Sequence, residues 1–228
     1  MQAATDGGAE LVVIDTAPAF DEQTLTALDE TDDLVMVATL DVPTLKNVKV
    51  ALETITEVLV DYVRAQCDTG VDAVMLDTLF GSQSGISREL WVKMEGVYAK
   101  RIADEIRRCG ALVALHNCGT GPYLDLQLEY MEPLIVSLAD VPDDCRDLAD
   151  TKAKYGERVA LAGFIPTDSL CSESPTRIME KAREQIRVMA PGGGFVLAPA
   201  CEYPPNIDLA NALAVVRAAQ LYGRYPIK

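Results

Sequence analysis

The feature of this 228-residue sequence that most limits its fold is a steady alternation of short apolar runs with segments of helical spacing. The runs are rich in Val, Leu and Ala: Leu11–Ala17, Asp33–Leu40, Asp72–Leu79, Ala111–Cys118, Leu134–Asp140, Arg158–Phe164 and Phe195–Cys201. Near-continuous apolar strands are what a parallel sheet requires, because both of its faces are covered. The spacing between them predicts helices at about 20–30, 43–68, 87–109, 143–155, 175–190 and 206–222, with a shorter one near 122–130. Strand–helix alternation over the whole chain implies βα units with right-handed crossovers. The expected class is therefore α/β, a (β/α) barrel-like parallel fold of TIM-barrel type. Seven strands are visible where a closed barrel needs eight. A missed strand, an incomplete or rearranged barrel and an open sheet all fit that count.

Local signals agree with the expected boundaries. Pro43 suits the first turn of a helix, where its missing N–H costs nothing. Gly70 and Gly110 fall just past helices, where a left-handed cap is wanted. Ser87, and Ser174 followed by Pro175, mark helix starts.

A formal net charge of −15 argues against a nucleic-acid or anionic-membrane surface, since phosphates are held mainly by Lys and Arg. No apolar run reaches the roughly 18 residues that span a bilayer. Residues 1–8 lack the basic-then-apolar pattern of an export signal. Six cysteines in a chain of this length then point to a reduced, cytoplasmic setting, where thiols are buried, catalytic or metal-bound.

The chemistry concentrates at the ends of two strands. Ala111–Cys118 ends in His116-Asn117-Cys118 before Gly119-Thr120-Gly121. Residues i and i+2 of a strand point the same way, so His116 and Cys118 offer one nitrogen and one sulfur to a shared point. Zinc accepts that mixture. The last strand ends in Cys201, which reaches the same point if the C-terminal strand ends converge on one mouth. His116, Cys118 and Cys201 are the expected metal ligands, leaving a coordination position open as catalytic sites do. Taken singly, each of these residues reads as ordinary packing; the joint pattern carries the expectation. Cys67 and Cys109, near helix ends, read as packing, and Cys145 and Cys171 stay unassigned. Asn117 alternates to the opposite face and reads as structural.

At these residues the chain resembles the uroporphyrinogen decarboxylase superfamily, and more closely its zinc-dependent, corrinoid-linked methyltransferase branch. The resemblance rests on Leu115-His116-Asn117-Cys118-Gly119, on the run Gly192–Glu202 followed by Pro204-Pro205-Asn206, and on the ending Tyr222-Gly223-Arg224-Tyr225-Pro226. Gly70–Asp77 is similar to a middle strand ending in an acidic residue that faces the site. It covers roughly residues 57–228. It implies a (β/α)₈ barrel holding zinc with a His/Cys/Cys set, a thiol or small methylated substrate, and methyl exchange with the cobalt of a partner corrinoid protein. Asp77 would orient substrate or relay a proton, or else serve as a loop contact; Asp140 carries the same ambiguity, and Glu202 would add to the metal shell. The superfamily's decarboxylases need no metal and use an N-terminal arginine-rich segment not found in this sequence.

The first 55 residues resemble something else. Leu11–Pro18 is similar to the switch strand of MinD/ParA-like ATPases, especially the pilus-assembly branch, and Asp33–Thr44 to the strand and loop that follow. The phosphate-binding glycine-rich loop is missing, so Asp15 reads as a strand-end residue and a nucleotide-binding module is the weakest reading. The expected organisation is 1–55 as a P-loop-less βαβα segment and 56–228 as a half to three-quarter barrel, joined inside the helix around residues 52–59 and folding as one unit. A splice of that kind points to an engineered or recombined chimera. Two functions follow: zinc-dependent methyl transfer, or a scaffold that binds zinc without turnover. A missing strand leaves a sheet edge that a second subunit, giving a homodimer, would cover.

Overall fold

The computed structural model describes residues 42–227, with side chains from residue 46 onward. The expected strands Leu11–Ala17 and Asp33–Leu40, the helix at 20–30 and Asp15 lie outside the described residues. Met1–Val50 and Ala51–Lys228 form two compact units, the second of which carries every described strand.

Helix α1 runs Val42–Asp68, and Gly70 follows at φ 84°. Strand β1 is Ala73–Asp77. The segment expected as one helix at 87–109 is three pieces. Helix α2 (Arg88–Trp91) starts where the Ser87 hydroxyl accepts from Leu90 N, a π turn spans Val92–Gly96, and α3 is Val97–Arg108. Gly110, at φ 84°, ends it. Strand β2 is Leu112–Asn117, α4 Leu124–Met131 and β3 Ile135–Leu138. Helix α5 is Leu148–Tyr155, starting later than expected because Asp147 caps it by accepting from Asp150 N. Strand β4 is Ala160–Ile165, followed by α6 at Thr167–Ser172, a helix the apolar pattern does not announce. Helix α7 is Pro175–Met189, with Ser174 as its cap, β5 is Phe195–Pro199, and α8 is Leu209–Tyr222.

All five strands are parallel and lie in sequence order, β1-β2-β3-β4-β5. Sequential order with uniform crossover hand winds the chain one way round, as in a barrel, whereas a doubly wound sheet reverses its strand order. Of the seven expected strands, the five within the described residues all form.

The two faces of the sheet differ. Val113, Leu115, Val136, Leu138 and Leu161 are buried in a core that also takes in Trp91, Ile106 of α3, Met131 of α4, Tyr155 of α5 and Met189 of α7. A second cluster joins Ile165 to Leu170, Ile178, Ala182 and Ala214 of α6, α7 and α8. On the opposite face, Met75, Leu112 and Val196 are exposed. Within β4, Gly163 sits at φ 104°, and a Cβ there would meet Leu138 O at 2.2 Å. Only glycine allows β3 and β4 that approach.

Candidate metal centre

His116 is the fifth residue of β2, Cys118 follows the strand's end, and Cys201 lies two residues beyond β5. Two strands separate β2 from β5, which in a flat sheet would put them about 14 Å apart. Yet one ligand atom from each of the three residues lies within 4.8 Å of the others. Curvature of the sheet, with the turn after β5, closes that gap. The convergence expected of the three residues is therefore present.

The donor set fits a zinc-type ion on the protein's own terms. His116 Nδ1 is 3.1 Å from Ser137 Oγ, while Nε2 is buried with no hydrogen-bond partner. An orphaned ring nitrogen is costly unless something binds it. A metal on Nε2 would leave the proton on Nδ1, donating to Ser137, and so fix ring and tautomer. Burial, then the adjacent Cys201 thiol and the Asp77 charge, pushes the Cys118 thiol upward. A cation among these groups would reverse that balance.

The loop carrying Cys118 is held against the loop after β1. Asn117 is fully buried on the helix-facing side, where its amide donates to Thr78 O (2.7 Å) and Gly81 O (3.1 Å) and its carbonyl accepts from Gly119 N (2.8 Å). Gln83 N donates to Gly121 O, and Tyr123 N to Gly81 O. A Cβ on Gly119 would meet Ser82 Oγ at 2.1 Å. The structural reading of Asn117 follows from this.

Asp77 pairs with His116 across the β1–β2 ladder and is exposed at the strand's end. It caps no helix among the described residues, since Ser87 does that for α2, and its register puts it on the same face of the sheet as His116. Asp140 is instead a loop anchor, accepting from Gly121 N and Val141 N. Glu202 is exposed and outside the three-residue cluster. Cys67 packs against the core, but Cys109 is exposed rather than packed. A second acidic group, Asp125, Asp143 and Asp144, is explained by its counter-ions. Arg88 bonds Asp125 and Asp143, and Lys154 and Tyr155 bond Asp144.

One half-buried carboxyl escapes sequence reading. Glu95 lies on the π turn, beside the Thr78 hydroxyl, Asp77 and the indole N–H of fully buried Trp91, which makes no well-formed hydrogen bond. Burial, and to a lesser degree the Asp77 charge, pushes the Glu95 carboxyl up to about 7, against hydrogen bonding from Trp91 and Thr78. In a regular helix a Glu next to Lys93 reads as a solvated face. The extra residue of the π turn shifts the helical phase and turns it inward.

That shift has a sign. The folded chain keeps the Glu95 proton to about pH 7, whereas the unfolded chain releases it near 4.3. Its contribution to stability is present in acid and is lost as pH rises through that window, by at most about 4 kcal/mol. Glu95→Gln should therefore melt higher than wild type at pH 8 and close to it at pH 5, in paired thermal scans.

The comparisons with known proteins agree with this architecture. A family model described as "Uroporphyrinogen decarboxylase (URO-D)" matches residues 42–222. Uroporphyrinogen decarboxylases from the Dugway 5J108-111 and RSA 331 strains of Coxiella burnetii are each 25% identical over 177 residues, covering 74% of this chain and 46% of the relative. The chain thus spans about half the length of the curated relatives it matches. Among solved structures, a methyltransferase from Methanosarcina mazei superposes with a TM-score of 0.59 at 21% identity, covering 74% of this chain and 48% of that one.

Proposed function

Because this chain belongs to the uroporphyrinogen decarboxylase family over residues 42–222, we propose that it is the family's zinc-dependent methyl-transfer type, working with a corrinoid protein in the cytoplasm. The observation that carries the reading is the approach of His116, Cys118 and Cys201 within 4.8 Å, with His116 Nε2 left unpaired. Those three residues would hold the ion. Zinc, when bound, supplies a Lewis acid that lowers the pKa of a coordinated thiol or polarises an ether oxygen.

The chain's own residues do the rest. Ser137 fixes the His116 ring, and Asn117 holds the Cys118 loop in register. Asp77, exposed beside the cluster, orients the substrate's polar end or moves its proton.

A second reading has an observation of its own. Met75, Leu112 and Val196, on the cluster's face of the sheet, are exposed, and catalysis needs its groups held within a fraction of an ångström. On that reading the chain binds zinc without turnover; a recombined or engineered N-terminal segment fits it equally. Mixing the zinc-loaded chain with a reduced corrinoid and methyl donors separates the two. Methyl transfer that vanishes in Cys201→Ser supports the enzyme; zinc binding with no transfer to any donor supports the scaffold.

A further inference from the structure

A cavity of about 400 Å³ lies between α1, the outer edge of β1, the π turn and α3. Its wall is mostly apolar, including Ile55, Leu59, Met75 and Ile102, with the rings of Tyr62 and Tyr98. The charged residues lining it are Asp77 and Glu95, with no Lys or Arg among them.

Two carboxyls on one apolar cavity without a counter-ion are an unbalanced arrangement. Asp77 lines the cavity and stands opposite His116 across the β1–β2 ladder, so it links the cavity to the metal cluster. The neighbouring Arg64 and Arg88 are committed elsewhere, to Asp61 and Glu105 and to Asp125 and Asp143. With no Lys or Arg lining the cavity among the described residues, a cationic ligand meets carboxyls and no like charge there. Aromatic rings with carboxylates in an apolar wall are the chemistry that holds alkylated ammonium groups.

The geometry points to this cavity as the subsite for a methylated ammonium compound, held by Glu95 and Asp77 with the Tyr62 and Tyr98 rings against its methyl groups. The inference rests on the methyl-transfer reading for its meaning, since a methylated ammonium beside the cluster is a methyl donor in waiting. Binding itself is independent of turnover. A neutral aryl ether would leave both carboxyls uncompensated, and an anionic thiol would be repelled by them.

Calorimetric titration of the zinc-loaded protein at pH 8 with choline, and with its uncharged carbon analogue 3,3-dimethylbutan-1-ol, tests this. Choline is expected to bind at least about tenfold more tightly than the analogue. Glu95→Gln should lose about tenfold in choline affinity, and Tyr98→Leu should weaken it while Tyr98→Phe keeps it. Melting curves confirm that each variant is folded. Equal binding of choline and the analogue, no choline binding, or a Glu95→Gln protein that binds choline as wild type does would overturn the assignment. Choline binding without methyl transfer would leave the subsite standing and remove the enzyme reading; methyl transfer without choline binding would do the reverse.

Discussion

Cys118→Ser is expected to lower zinc affinity by at least about a hundredfold. Losing even a group that only orients a metal ligand typically costs ten- to a hundredfold, and Cys118 supplies a ligand atom itself. Among the described residues no further carboxylate, thiol or imidazole joins His116, Cys118 and Cys201 in the cluster, so its place is not taken over nearby. Serine is the stringent choice because it keeps the side chain's size and the loop's packing against Ser82 while removing the soft thiolate. Competition with a chromophoric chelator at fixed pH measures the change. Cys109→Ser, on an exposed thiol outside the cluster, should leave the affinity unchanged in the same assay.

Asn117→Ala should be the most destabilising substitution at the site, by about 3–5 kcal/mol. Three hydrogen bonds go at once and buried Gly119 N loses its partner, while Thr78 O keeps Gly81 N and Gly81 O keeps Tyr123 N. Gln127 Nε2 also reaches Gly81 O, which places the cost nearer the lower end. Urea unfolding at pH 7 reads the effect as a fall in midpoint. Because Asn117 joins the loops after β1 and β2, the loss should extend to zinc affinity. Leu112→Ala, on the exposed face of the same strand, should cost far less.

The strands were legible because buried parallel strands are written as unbroken apolar runs, and β1 to β5 coincide with such runs to within a few residues. The i, i+2 relation likewise exposes His116 and Cys118 as partners and sends Asn117 to the other face. What lay beyond the sequence was phase and curvature. Nothing in Val92–Gly96 announces a π turn, so Glu95 reads as a surface residue until the backbone turns it inward. Cys201 meets His116 only because the sheet curls, a property of all five strands together rather than of the Cys201 segment. Helix α6 is too short for periodicity to reveal, and α5 starts late because Asp147 wins the cap.

Metal analysis of the purified chain after zinc loading and desalting tests the central claim most directly. The account predicts about one zinc per chain in wild type and close to none in Cys201→Ser. A wild-type chain that folds and retains no zinc would contradict it.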